Sequence, residues 1–309
     1  MTQRSGGSGP RRAITPPHPV DLRQTLGPLR RGPSDPTMRI GVDGVWRATC
    51  TPEGPATTWI SAAGASGQLT IRAWGPGERW ALDAFPALVG AEDTGTVPTG
   101  DPTVDELARR FPGMRIGRSQ AVVEALVPSI LEQKVVGLEA YRSYARLVRA
   151  LGEAAPGPAP AGLRVPPSPR TLAATPSYVF HRFGVERKRA DTIRIACSYA
   201  ARLEETLTMS SEAAHRRLTA LRGVGAWTAA EVALVALGDP DAVSVGDYHL
   251  PNVVAWALAG EPRADDARML ELLEPFRGQR GRVIRLIVAG HAGPPRRGPR
   301  MPLRSIARM

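Results

Sequence analysis

Apolar positions along the chain follow two different periods. Between Pro19 and about Gly75 they come in short runs, 20–25, 38–42, 45–51, 57–63 and 68–74, separated by Asp-Gly, Glu-Gly and Ser-Gly turn pairs. Such spacing predicts β-strands. Residues 77–89 then read as a helix with Trp80, Ala84, Phe85 and Leu88 on one face. Beyond the loop at 94–102 the period becomes helical: 104–111, then 120–137, where Pro128 is expected to bend or divide the helix. Helical segments follow at 141–151, 171–174, 176–183 and 186–207, with a Pro-rich surface connection at 156–169. Three more are expected at 248–259, 263–276 and 281–290. The fold class is therefore a mainly α-helical body preceded by a small α+β lobe. The expected divisions are a disordered basic arm (1–18), the α+β domain (19–110), the helical domain of two lobes (111–292) and a basic tail (293–309). Trp46, Trp59 and Trp74 read as core of the small lobe.

The most informative stretch runs from Leu221 to Ala230, Leu-Arg-Gly-Val-Gly-Ala-Trp-Thr-Ala-Ala. An amphipathic helix leads into it from Ser211, a good N-cap, and a helix apolar nearly all round leaves it from Ala226 to Leu237. Two glycines around one apolar residue allow a tight turn whose Val is anchored while its main chain stays exposed. Orphan N–H groups at the start of the second helix then suit a phosphate. Taken alone, the ten residues fit an ordinary helical turn as well as a helix-hairpin-helix at 211–237. Onward come a Gly238-Asp239-Pro240-Asp241 loop and then Asp247-Tyr248-His249-Leu250. In this order, hairpin, buried helix, acidic loop and Asp-Tyr-x-Leu, the chain resembles the helix-hairpin-helix DNA glycosylases. Within them it is most similar to the bacterial 3-methyladenine (alkylpurine) glycosylases of type II, over roughly residues 19–290.

Charge agrees with a polyanionic partner. Lys+Arg number 40 against 29 Asp+Glu, a net charge of +11, although basicity alone fits other classes too. Nearly all of it is Arg, since the lysines are Lys134 and Lys188. The pair Cys50 and Cys197 makes no disulfide framework and no four-Cys iron-sulfur or zinc site. No apolar run reaches the ~20 residues of a membrane span and no signal segment is evident, so a cytoplasmic monomer is expected.

The resemblance implies a site. Asp247 would be the catalytic carboxylate, stabilising positive charge on the sugar and directing water to C1′. One carboxylate suffices where the base already carries positive charge and leaves neutral, whereas glycosidic oxygens need a second acid. The same residue also reads as a helix N-cap, and the two roles are compatible. Arg222, Gly223, Val224, Gly225 and Thr228 would hold the DNA backbone, with a monovalent cation on the hairpin carbonyls. Trp227 stands where strand-nicking relatives carry Lys, which implies a monofunctional hydrolase without lyase activity. Trp227, Glu231 and Tyr248 would line the base pocket. Glu231 departs from the family, which has an aromatic there, and reads rather as a structural partner for one of the many Args. Gln133 and Lys134 would form the duplex wedge, or else a solvated helix end; Gln133 matches the family, while Lys134 stands where the family has an apolar residue. Arg187, Lys188, Arg189 and Arg194 form a basic face. No metal and no other cofactor is expected, since His249 and His291 lack metal-spaced partners. The implied function is excision of alkylated purines, 3-methyladenine and 7-methylguanine, from damaged duplex DNA. Two rivals remain open: a non-catalytic DNA-binding protein, and a glycosylase for another lesion such as deaminated purines.

Overall fold

The computed structural model describes residues 9–63, 67–95 and 100–295. Strands β1 (Arg11–Ile14), β2 (Met38–Ile40), β3 (Val45–Thr51), β4 (Gly54–Ala63) and β5 (Gln68–Trp74) form one antiparallel sheet in the order β1-β5-β4-β3-β2. Its apolar face, with Val45, Ile60, Leu69 and Ile71, packs on Leu26, Phe85 and Leu88 from the flanking helices. The three tryptophans meet one another: Trp46 stacks on Trp74 at 5.5 Å and lies tilted against Trp59 at 6.3 Å.

Two expectations for this lobe are corrected. Residues 11–14, assigned to a disordered arm on composition, pair with 69–72 as an edge strand. The free edge of β5 supplies the backbone partners, and Arg12 reaches the carbonyl of Leu82, so polar composition does not decide the matter. Residues 1–8 lie outside the described residues. The run at 20–25 is helical rather than extended, as Leu22–Leu26, because Asp21 caps it by accepting from the N–H groups of Arg23 and Gln24 at 2.8 and 3.0 Å.

The helical part has two cores. One gathers Val122–Glu132, Gly137–Leu151, Arg187–Ser198 and Ala226–Val232 around Leu126, Ile130, Leu147, Phe180 and Ile193. The other joins Leu250–Ala259, Asp266–Leu273 and Arg280–Gly290. Pro102–Arg110, assigned to the α+β domain, also packs into this second core through Val104 and Leu107. The helix after Gln120 ends at Glu132, five residues short of Gly137, and runs through a buried Pro128 without dividing. Its first N–H groups, on Val122 and Val123, are capped from a distance by the carboxylate of Glu204, both at 3.0 Å. From Ala233 to Leu237 the Ala226 helix widens into a π turn closed by Gly238 at φ 70°. The carbonyls of Val235 and Ala236 there accept from the N–H groups of Ser119 and Gln120, docking the chain that enters Val122–Glu132. Of the basic tail, 296–309 lies outside the described residues. Among the described residues no helix is long and apolar enough to cross a membrane.

Candidate active site

The helices Ser211–Thr219 and Ala226–Val232 are joined by a turn at 220–225. Val224 is buried and anchors it; Arg222, Gly223 and Gly225 are exposed. The two glycines answer different needs. Gly223 sits at φ 92°, and a Cβ there would meet Thr192 Oγ1 at 2.4 Å, so both its dihedral and the helix behind it require glycine. Gly225 has φ −99° and nothing within 4 Å of such a Cβ, which leaves its main chain open.

Gln133 closes the turn from the other side. Its amide donates to the carbonyl of Gly223 and to Thr228 Oγ1, both at 2.9 Å. The buried Arg189 holds the preceding helix end by donating to the carbonyl of Leu131 at 2.7 Å, so it does not belong to a solvated basic face. Desolvation removes it from that face; Arg187 and Lys188 stay exposed. Lys134 adopts φ 57° at the turn that follows, with its side chain exposed.

Trp227 and Asp247 are brought together. The indole Nε1 donates to Asp247 Oδ2 at 3.0 Å, while Oδ1 accepts from the N–H groups of His249 and Leu250 at 2.8 and 2.9 Å. The helix begins at Leu250 with His249 at its N-cap position, later than the expected start at Tyr248. Asp247 is therefore not the N-cap itself but accepts from the two N–H groups that open the helix, and three N–H donors converge on one carboxylate. Its loop is pinned at both ends. The N–H of Gly246 (φ 90°) donates to Asp266, and Asp241 accepts from Arg280 Nε at 2.9 Å and from the N–H groups of Gly278 and Arg280 at 2.7 and 3.0 Å. Burial works to raise the Asp241 carboxyl, but the Arg280 bonds outweigh it and hold it below the ordinary range. Tyr248 is 79% exposed, its ring edge-on to His249.

Glu231 lies four residues beyond Trp227 on the same helix face. Its Oε1 accepts from Ser244 Oγ at 2.5 Å. Burial pushes its carboxyl above the usual range; Ser244 and Arg31 oppose this, and Glu132 and Asp247 add to it. Arg31, from the small lobe, donates to Glu132 at 3.1 Å. Burial likewise raises Glu132, against Arg31 and with Asp247, and the Tyr141 phenol is raised by burial and then by Glu132. Arg31, Glu132 and Tyr141 were not foreseen from sequence. Glu132 precedes Gln133 and adjacency points to it; Arg31 and Tyr141 carry no local signal. The two thiols stand apart from this site, Cys197 pushed up to about 12 by burial.

No family model matches the chain. A sequence relative, the Mycobacterium tuberculosis protein named "Probable bifunctional transcriptional activator/DNA repair enzyme AlkA", is 32% identical over 174 residues, which is 55% of this chain and 33% of the relative. The chain thus spans about a third of the curated relatives it matches. Among solved structures, a 3-methyladenine DNA glycosylase from Archaeoglobus fulgidus superposes with a TM-score of 0.74 at 19% identity, covering 90% of this chain and 97% of the other. The 8-oxoguanine glycosylase/lyase of Clostridium acetobutylicum gives 0.67 at 12% identity, covering 90% and 95%. At these identities the shared property is the fold, and it is the fold of DNA glycosylases.

Proposed function

We propose that this protein is a DNA glycosylase of the 3-methyladenine type, which removes alkylated purines from duplex DNA by hydrolysis and leaves an abasic site. The observation that carries the reading is the Asp247 carboxylate, fixed by Trp227 Nε1 and two backbone N–H groups within a glycosylase fold. An alkylated purine is already cationic, so cleavage of C1′–N9 releases a neutral base and develops positive charge on the sugar. Asp247 stabilises that charge and takes the proton of the incoming water. Trp227 offers no amine to C1′, which leaves water as the nucleophile and makes the enzyme monofunctional.

The two helices and turn from 211 to 237 act as a helix-hairpin-helix that grips the DNA backbone through the open main chain around Gly225. Gln133 is spent on Gly223 and Thr228. The group free to enter the duplex is therefore Lys134, at the tip of a left-handed turn, with its alkyl stem in the gap and its ammonium toward phosphate or base acceptors.

Single-turnover release of free base from methylated duplex DNA tests the reading, with Asp247→Asn compared with the native protein and binding confirmed for both. Release of 3-methyladenine or 7-methylguanine is expected, falling at least about 100-fold in the variant. DNA binding with no release from either protein would replace this reading with a non-catalytic DNA-binding role.

A further inference from the structure

We infer that Glu231 is a second catalytic group, a carboxylic acid that donates its proton to the departing base when that base is a neutral purine. The inference rests on the glycosylase reading above. Trp227 and Glu231 are four residues apart on one helix, hence neighbours on one face about one turn, ~5–6 Å, from each other. Trp227 holds Asp247, and Ser244 holds Glu231 Oε1, so two carboxyl groups are anchored beside a single helix face. Glu231 Oε2 makes no hydrogen bond or ion pair with any described residue.

The two carboxyl groups have opposite surroundings. Asp247 receives three N–H donors. Glu231 is half-buried and receives one hydroxyl. Facing it are Arg31 from the small lobe, Glu132 at the end of the Val122 helix, Tyr141 on the Gly137 helix, and Ser244 and Asp247 on the following loop. Arg31 is the one cation in this set, and it is already bonded to Glu132. Carboxyl groups sharing one guanidinium favour retention of a proton, and burial raises both Glu132 and Glu231. Two neighbouring carboxyl groups in contrasting environments then divide the work of acid and base.

For a neutral purine the step balances as follows. The Glu231 proton passes to a ring nitrogen of the base, the C1′–N9 pair leaves with N9, and the base departs neutral. Water adds to C1′ and gives its proton to Asp247, and solvent restores the proton of Glu231. A 7-methylguanine carries its positive charge from the start and needs no such donor.

The test measures single-turnover release of hypoxanthine, a neutral purine, and of 7-methylguanine from duplex DNA between pH 5 and 9, for the native protein, Glu231→Gln and Ser244→Ala. Native release of hypoxanthine is expected to fall as pH rises through the titration of Glu231, on a limb absent from 7-methylguanine release. Glu231→Gln should lower the hypoxanthine-to-7-methylguanine rate ratio about 100-fold and remove that limb. Ser244→Ala, which frees the carboxyl without deleting it, should keep the limb and lower the ratio less. Release of 7-methylguanine without hypoxanthine at any pH, or a limb that survives in Glu231→Gln, would overturn the role of Glu231 alone. Release of neither base by the native protein would overturn the glycosylase reading and this inference with it.

Discussion

At the scale of single residues the two glycines of the 220–225 turn differ: Gly223 serves folding, and on the reading proposed above Gly225 serves DNA contact. Gly223→Ala forces a methyl against Thr192 at a positive φ, and a loss of about 1–3 kcal/mol in chemical denaturation is expected. Gly225→Ala meets nothing, so stability should stay within about 0.5 kcal/mol of the native protein. In the proposed DNA contact its methyl would stand where a phosphate approaches the main chain. Affinity for duplex DNA, read by fluorescence anisotropy at fixed salt, should therefore fall about tenfold, since one lost backbone contact is worth about 1–1.5 kcal/mol. Equal affinity in Gly225→Ala and the native protein would remove this turn from the DNA interface.

At the scale of elements the Val122–Glu132 helix positions the site. One end is capped by Glu204, the other is held by Arg189, and Gln133 ties it to the 220–225 turn. Burial raises the Glu204 carboxyl while the N–H groups of Val123 and Val122 oppose the rise. Glu204→Ala leaves two N–H donors without acceptors and should cost about 1–3 kcal/mol in urea unfolding. The Pro inside this helix and the Lys at its left-handed exit show how tertiary packing overrides local preference. Propensity alone extends the helix to Gly137; the observed chain stops at Glu132 because Gln133 turns to bond Gly223 and Thr228.

At the scale of the whole molecule, charged side chains lock the lobes together and set the pH response. Asp93, from the loop after the sheet lobe, is paired through both oxygens with the buried Arg282 of the last helix and accepts from the N–H of Ile116 at 2.8 Å. Burial works to raise its carboxyl, and the Arg282 and Ile116 bonds outweigh it. A depressed folded pKa means that this stabilisation is present above the ordinary aspartate value, about 3.9, and is lost as pH falls through the folded value. Glu132, Glu204 and Glu231 behave in the opposite sense. Their contribution is complete below the ordinary glutamate value, about 4.3, and is lost as pH rises through the raised values. Denaturation midpoints followed from pH 3 to 8 should show both flanks. Asp93→Asn should flatten the acid flank and Glu231→Gln the one above it; an Asp93→Asn variant that keeps the native acid flank would assign that flank to other carboxylates.

Local signals made much of this protein legible in its sequence. Strand and helix periods, the glycine turn after a capped helix, and the fixed order of turn, buried helix, acidic loop and Asp247 all depend on neighbours within about twenty residues. That range covers Trp227 and Asp247, which the fold does bring into hydrogen-bonding contact. What the chain could not announce are contacts whose partners lie far apart along it: β1 completing the sheet at β5, Glu204 capping Val122, Arg31 reaching Glu132, and Arg189 leaving the basic face to hold Leu131. The same limit applies to Glu231. Its letter marked it as unusual among aromatic positions, yet whether it holds a proton depends on burial and on the charges of three other elements, and only the tertiary structure decides those.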